Sequence, residues 1–130
     1  MDKYYLNELT EKVIGASIEV HRELGPGLLE STYEAALFYE LGLQGMNAAR
    51  QVPLPIRYKE LEINEAYRLD LLIEDSVIIE VKSVESLLPI HSAQLLTYLR
   101  MSRKHLGLLI NFNSVRLVDG IKRQVNRFPS

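Results

Sequence analysis

The sequence predicts an α/β protein with a mixed sheet and helices on both sides. Three observations carry this prediction. Apolar residues recur at helical spacing near the start of the chain, and two apolar strands with two-residue alternation face each other across a short turn in its middle. A helix introduced by proline then leads into a short, fully apolar strand.

Leu9, Val13, Ala16, Val20 and Leu24 mark the first helix, with Asn7 as its expected N-cap. Gly25-Pro26-Gly27 ends it as a helix–helix turn. A second helix is expected through Leu28, Tyr33, Ala36, Leu37 and Leu41 to a stop at Gly42. Gln51 to Tyr58 alternates like a strand, and Pro53 and Pro55 suit an edge or irregular one. Lys59 to Asn64 is expected to turn, and the central hairpin to run from about Ala66 to Ser83. Pro89 favours a helix start, and the helix continues through Ala93, Leu95, Leu96, Leu99 and Met101. Leu106 to Phe112 has the composition of a strand buried inside a sheet, and Val115 to Val118 is expected to add one more. With 130 residues and no internal repeat or linker, residues 1–130 are expected to form one domain.

The hairpin carries the most informative polar residues. Its strands read Arg68-Leu69-Asp70-Leu71-Leu72-Ile73 and Val77-Ile78-Ile79-Glu80-Val81-Lys82, joined by Glu74-Asp75-Ser76. Folding about Asp75 sets Asp70 opposite Glu80. Alternation then puts Leu69, Leu71, Ile73, Val77, Ile79 and Val81 on one apolar face, with Asp70, Glu80 and Lys82 on the other. Carboxylates on directly paired residues, about 5 Å apart, repel by roughly 3 kcal/mol at an effective dielectric of about 20. That equals about two pKa units, so the pair should hold a proton, a cation or both. The solvated face of an ordinary hairpin shows the same pattern, and the hairpin by itself favours that plainer reading.

Composition narrows the chemistry. The absence of cysteine removes disulfides, thiolate catalysis and cysteine zinc sites. No apolar run approaches the length of a membrane span, and the N-terminus lacks the pattern of a secretory signal, so a cytoplasmic location is expected. The net charge of −2 is unevenly spread. From Arg100 onward the chain is basic, with Asp119 as its single acid, while the predicted N-terminal helices are rich in glutamate. Such a basic end can meet a phosphate backbone or simply face water. No His pair suits a zinc enzyme, and no Gly-rich phosphate loop or Gly-x-Ser-x-Gly turn is present. His21 sits in the last turn of the first helix, where a dipole role is ordinary.

Two helical stripes add polar groups. Glu30, Tyr33, Glu34 and Leu37 share one face of the second helix. Gln94 and Tyr98 lie one turn apart on the later helix. Each has a plain reading, as a first-turn glutamate or as a helix edge whose tips reach water. Their order along the chain is what points further: acid on a helix, then Asp, then Glu-x-Lys, then Gln-x-x-x-Tyr.

Gly27-Leu28-Leu29-Glu30-Ser31-Thr32-Tyr33 resembles the signature of the GxxExxY proteins. The likeness continues through Asp70-Leu71-Leu72, Glu80-Val81-Lys82, Ala93 to Leu99 and Gly107 to Phe112. That family lies in the PD-(D/E)XK nuclease superfamily. The resemblance therefore implies a restriction-endonuclease-like mixed sheet flanked by helices, in α-β-β-β-α-β order. One departure is Leu69 in place of the proline that precedes the aspartate in the motif.

The resemblance also implies roles. Asp70, Glu80 and the Val81 carbonyl would hold Mg²⁺ or Mn²⁺, with Glu30 as a direct or water-mediated ligand. Lys82 would act on the attacking water and the scissile phosphate, with Gln94 and Tyr98 orienting these groups. The expected activity is metal-dependent hydrolysis of phosphodiester bonds, in DNA first. The alternative is a non-catalytic module that binds nucleic acid or a protein on the same fold. Restriction-like recognition is not expected, because no loop is long enough to read a groove and a homodimer, an arrangement the sequence leaves open, would have to supply the second site.

Overall fold

The computed structural model describes residues 2–64 and 67–127, so Ala66, the expected first residue of the hairpin, lies outside the described residues. Two helices come first, α1 (Lys3–Leu24) and α2 (Glu30–Leu43). Helix α1 starts earlier than its apolar periodicity suggests, because the Asp2 carboxylate caps it by accepting from Tyr5 N–H at 2.9 Å. Asn7 is therefore inside the helix rather than its cap. Leu6, Leu9, Val13, Ala16 and Val20 are buried at the predicted spacing, whereas Leu24, in the last turn, is 40% exposed. Gly25, at φ 71°, closes the helix.

The strands follow as β1 (Ala48–Pro53), β2 (Ile56–Tyr58), β3 (Leu61–Ile63), β4 (Arg68–Ile73) and β5 (Val77–Lys82). Then come α3 (Pro89–Ser102), β6 (Leu106–Asn111), a 3₁₀ turn η1 (Leu117–Gly120) and β7 (Ile121–Val125). The expected turn at Lys59 to Asn64 thus contains β3, which pairs with β2 in a separate two-stranded ribbon. The main sheet has the order β1-β4-β5-β6-β7. Only β5 and β6 are parallel, joined through α3. This is the mixed, restriction-endonuclease-like arrangement that was expected, with β6 held between β5 and β7.

The strand expected at Val115 to Val118 is instead the approach to η1. Val115 is 87% exposed, and Gly120 tucks so close under the preceding turn that a Cβ would lie 2.7 Å from the Asn111 carbonyl. This close reversal delays pairing with β6 until Ile121.

Two apolar clusters sandwich the sheet. On one face α1 and α2 pack on Leu71, Ile73, Val77, Ile79, Val81, Leu108 and Ile110. On the other, Leu95, Tyr98 and Leu99 of α3 pack on Ile78, Leu109, Leu54 and Leu69. Leu69 thus departs from the expected apolar face, for a reason that lies at the candidate site. Truncating a fully buried member such as Leu71 to alanine costs about 2–5 kcal/mol.

Candidate active site

The hairpin register is the predicted one, with Leu71 opposite Ile79, Leu72 opposite Ile78 and Ile73 opposite Val77. Glu74 and Asp75 make the turn possible by adopting left-handed conformations. At the next pair, Asp70 and Glu80, side chains replace the backbone ladder. The Asp70 N–H donates to Glu80 Oε2 at 3.0 Å, and the Val81 N–H donates to Asp70 Oδ2 at 2.8 Å. Each carboxylate is held by the opposite strand's backbone. Its second oxygen accepts no hydrogen bond among the described residues.

The other side of β4 is irregular at the same point. Pairing with β1 skips from Arg50–Leu71 to Val52–Leu69, and the intervening Gln51 has a φ of 51°. With its ladder broken on both sides at Asp70, β4 changes the phase of its side chains there. Leu71 stays with the α1/α2 cluster while Leu69 joins the α3 cluster.

Burial makes the carboxylates unusual acids. Glu80 is 4% exposed, and its pKa is pushed up to about 8, first by burial and then by the charge of Asp70. Asp70 is raised to about 6, mainly by burial, with the Val81 N–H pulling the other way. The Lys82 charge lowers both without contact, since no carboxylate lies within 4.0 Å of its ammonium among the described residues. Tyr98 packs beside Ile78 and Leu69, and its phenol pKa is raised by burial, then by the charge of Glu80. Gln94, one turn earlier, is exposed. It lines the same groove as Tyr98 and forms no hydrogen bond to the carboxylates or to Lys82 among the described residues.

Glu30 meets the far end of the strand that carries Glu80. Its Oε2 accepts from Ser83 N–H at 3.2 Å, just past the end of β5, and Ser83 Oγ donates to the Leu28 carbonyl at 2.6 Å. The Tyr33 hydroxyl donates to Gly25 O and accepts from Leu28 N–H, while its ring stacks on Phe112 at 4.7 Å. The Gly27 to Tyr33 run therefore latches the interhelical loop onto the end of the strand that carries Glu80. Among the described residues no three His, Cys, Asp or Glu side chains gather as a metal cluster, although the Glu30 charge still helps to raise the Asp70 pKa.

Two residues had no role in the sequence reading. Glu34, 7% exposed, is closed in by Arg50 (3.0 Å) and by Gln51 Nε2 (2.8 Å), the residue across from Asp70. Its charge acts on Asp70 more than that of Glu30 does. The helical stripe gave its face but not these partners. Asn111 mimics a strand: its amide exchanges hydrogen bonds with Val84 N–H and C=O and accepts from Asn113 N–H, pinning the loop after Lys82. His21 is structural, its Nε2 lying 2.7 Å from the Ser114 carbonyl.

An acid pair crossed onto opposing backbones, followed two residues later by a lysine on the same strand, matches a known pattern. A family model for the PD-(D/E)XK nuclease superfamily matches residues 7–124. The chain belongs to that superfamily. Searches of curated proteins and of solved structures give no significant match. Asp70 and Glu80-Val81-Lys82 have, in order, the residue types of the motif that gives the superfamily its name, with Leu69 where the motif has proline.

The donor set fits a hard cation. Two carboxylates with one uncommitted oxygen each, and no cysteine in the chain, suit an ion that keeps much of its water and takes further oxygens from substrate. Without a cation, two acids at this depth retain a proton near neutral pH.

Proposed function

We propose that this chain is a divalent-metal-dependent nuclease of the GxxExxY type that hydrolyses phosphodiester bonds in DNA, with residues 1–130 acting as one nuclease-like domain. The observation that carries the reading is the pair of half-buried Asp70 and buried Glu80, each acid locked by the other strand's backbone, with Lys82 alongside. Asp70, Glu80 and the Val81 carbonyl would hold Mg²⁺ or Mn²⁺, and Glu30 would reach it through water. When bound, the ion supplies a water acidic enough to give hydroxide near neutral pH and polarises a phosphate oxygen.

The chain's own groups do the rest. Asp70 and Glu80 are fixed before substrate arrives, so little reorganisation is needed at the moment of reaction. Lys82, unpaired with any carboxylate among the described residues, is available to orient the attacking water and to offset charge developing on the phosphate. The Tyr98 phenol stays protonated and can donate a hydrogen bond from the α3 side. Gln94 reaches the substrate from the adjoining groove. No helix among the described residues is long and apolar enough to cross a membrane; we place the protein in the cytoplasm, where DNA is accessible. A homodimer would supply the second site that cutting both strands requires.

The test is direct. Purified protein with Mg²⁺ or Mn²⁺ is expected to cut single-stranded, double-stranded or branched DNA, and Lys82→Ala purified identically is expected not to. Cutting that survives Lys82→Ala would identify a contaminant, and no cutting of any substrate would end the proposal.

A second reading keeps the fold as a non-catalytic binding module. The observation on its side is Glu30, whose carboxylate is engaged by Ser83 rather than joined to the pair. Salt-dependent DNA binding without turnover, unchanged by Asp70→Asn, selects that reading.

A further inference from the structure

Beside the acid pair runs a groove of about 510 Å³ between α3 and the segment that carries β2 and β3. One wall is Ile56, Ile63 and Tyr67; the other is Ile90, Gln94, Thr97 and Tyr98. Its volume falls within the roughly 300–1,000 Å³ of small-ligand pockets. Among the described residues no lining side chain is charged, and Gln94 carries the only amide.

Tyr67 is held for display rather than buried. The Leu54 N–H donates to its carbonyl at 2.9 Å, fixing its backbone. Its ring meets Tyr98 edge to face, with centroids 6.3 Å apart and planes at 67°, and the residue remains 48% exposed. An edge-to-face pair leaves ring surface open for a stacking partner. Tyr98 belongs to both places: it lines the groove and packs on Leu69 and Ile78, the neighbours in sequence and alternation of Asp70 and Glu80.

These features select one kind of occupant. A phosphate backbone meets no cation among the described lining residues of this groove, and a stacked duplex cannot insert its paired bases. An unpaired nucleobase presents a flat apolar face to tyrosine and isoleucine, and an edge that an amide can read. We propose that the groove holds an unpaired base next to the scissile phosphate, with Tyr67 as the stacking platform and Gln94 as the edge contact. The substrate is therefore single-stranded nucleic acid, or the frayed end of a duplex. This inference rests on the nuclease reading above and adds the class of strand that the site accepts.

The experiment uses the full chain carrying Lys82→Ala, with Mg²⁺ present, so that strands are bound but not cut. Fluorescence anisotropy measures the affinity for a labelled single-stranded oligodeoxynucleotide, its ribo equivalent and a blunt duplex. Adding Tyr67→Leu is expected to weaken single-strand binding by about 5- to 30-fold, the loss of one base stack. Tyr67→Phe, which keeps the ring, is expected to restore it. Ile90 is 67% exposed, so Ile90→Glu should fold normally and weaken single-strand binding by putting an anion in the groove. A 2-aminopurine base beside the scissile phosphate is expected to be quenched on binding, and to regain its fluorescence with Tyr67→Leu. Whichever sugar binds more tightly identifies the strand. If single strands are bound, and cut by the Lys82 protein, yet Tyr67→Leu and Ile90→Glu bind as tightly as their parent, the groove inference falls and the nuclease reading stands. Tighter binding of the blunt duplex than of either single strand also overturns it. If no nucleic acid is bound or cut at all, both fall together.

Discussion

Replacing Glu80 by glutamine separates the cost of the acid pair from everything else at the site. The perturbation is nearly isosteric: the amide oxygen can still accept from Asp70 N–H, and its NH₂ can donate to the Asp70 carboxylate. What disappears is a charge that the fold resists. Raised carboxyl pKa values mean that the folded protein keeps protons which the unfolded chain has released. The pair therefore makes wild-type stability fall as pH rises from about 4.5, where free glutamate titrates, toward the value of about 8 in the fold. At about 1.4 kcal/mol per unit the full span has a ceiling near 5 kcal/mol. Water reaching the uncommitted oxygens lowers this, and about 2 kcal/mol is expected. The assay is thermal or urea unfolding in chelator at pH 5 and pH 8.5. Glu80→Gln should match wild type in acid and exceed it at pH 8.5, by roughly 5–10 °C in Tm for a domain of this size. Equal stability at pH 8.5, or an unchanged pH slope, would refute the reasoning.

Other perturbations probe the remaining parts. Mg²⁺ or Mn²⁺ at a hundredfold excess over its Kd should stabilise the wild-type protein by about 2.7 kcal/mol, and Asp70→Asn should abolish that gain in a thermal-shift titration. Lys82→Ala should eliminate cleavage while leaving the metal-induced Tm shift in place, because its ammonium contacts neither carboxylate. Asn111→Ala leaves the Val84 N–H without its acceptor, while Asn113 still reaches the Val84 carbonyl, and should cost about 1–2 kcal/mol in urea unfolding. Gly120→Ala drives a methyl against the Asn111 carbonyl and should lower Tm by several degrees even at acid pH, where the carboxyl pair is silent.

Much of the fold was legible because local rules and tertiary packing agree. The hairpin pairs Leu71 with Ile79 as its two-residue period and turn length dictate. Helix α3 begins at Pro89 because proline suits a first helical position. The misplacements arise where distant residues decide. Leu69 changes faces because Gln51, on another strand, adopts a left-handed backbone opposite Asp70. β7 was hidden because its polar Lys122 and Arg123 suit an exposed sheet edge, while the more apolar Val115 to Val118 segment reads better as a strand. At the site, the pairing of Asp70 with Glu80 could be read from register alone. That Glu30 turns to Ser83, and that Glu34 is buried with Arg50 and Gln51, depends on how α2 meets β1 and β5. A helical stripe gives a face and nothing about what that face meets.

The most direct measurement is anomalous diffraction from a crystal soaked in Mn²⁺. The proposed chemistry predicts one strong peak bonded to the free oxygens of Asp70 and Glu80, absent from an Asp70→Asn crystal soaked in the same way. A fully soaked wild-type crystal with no manganese between those carboxylates would contradict it.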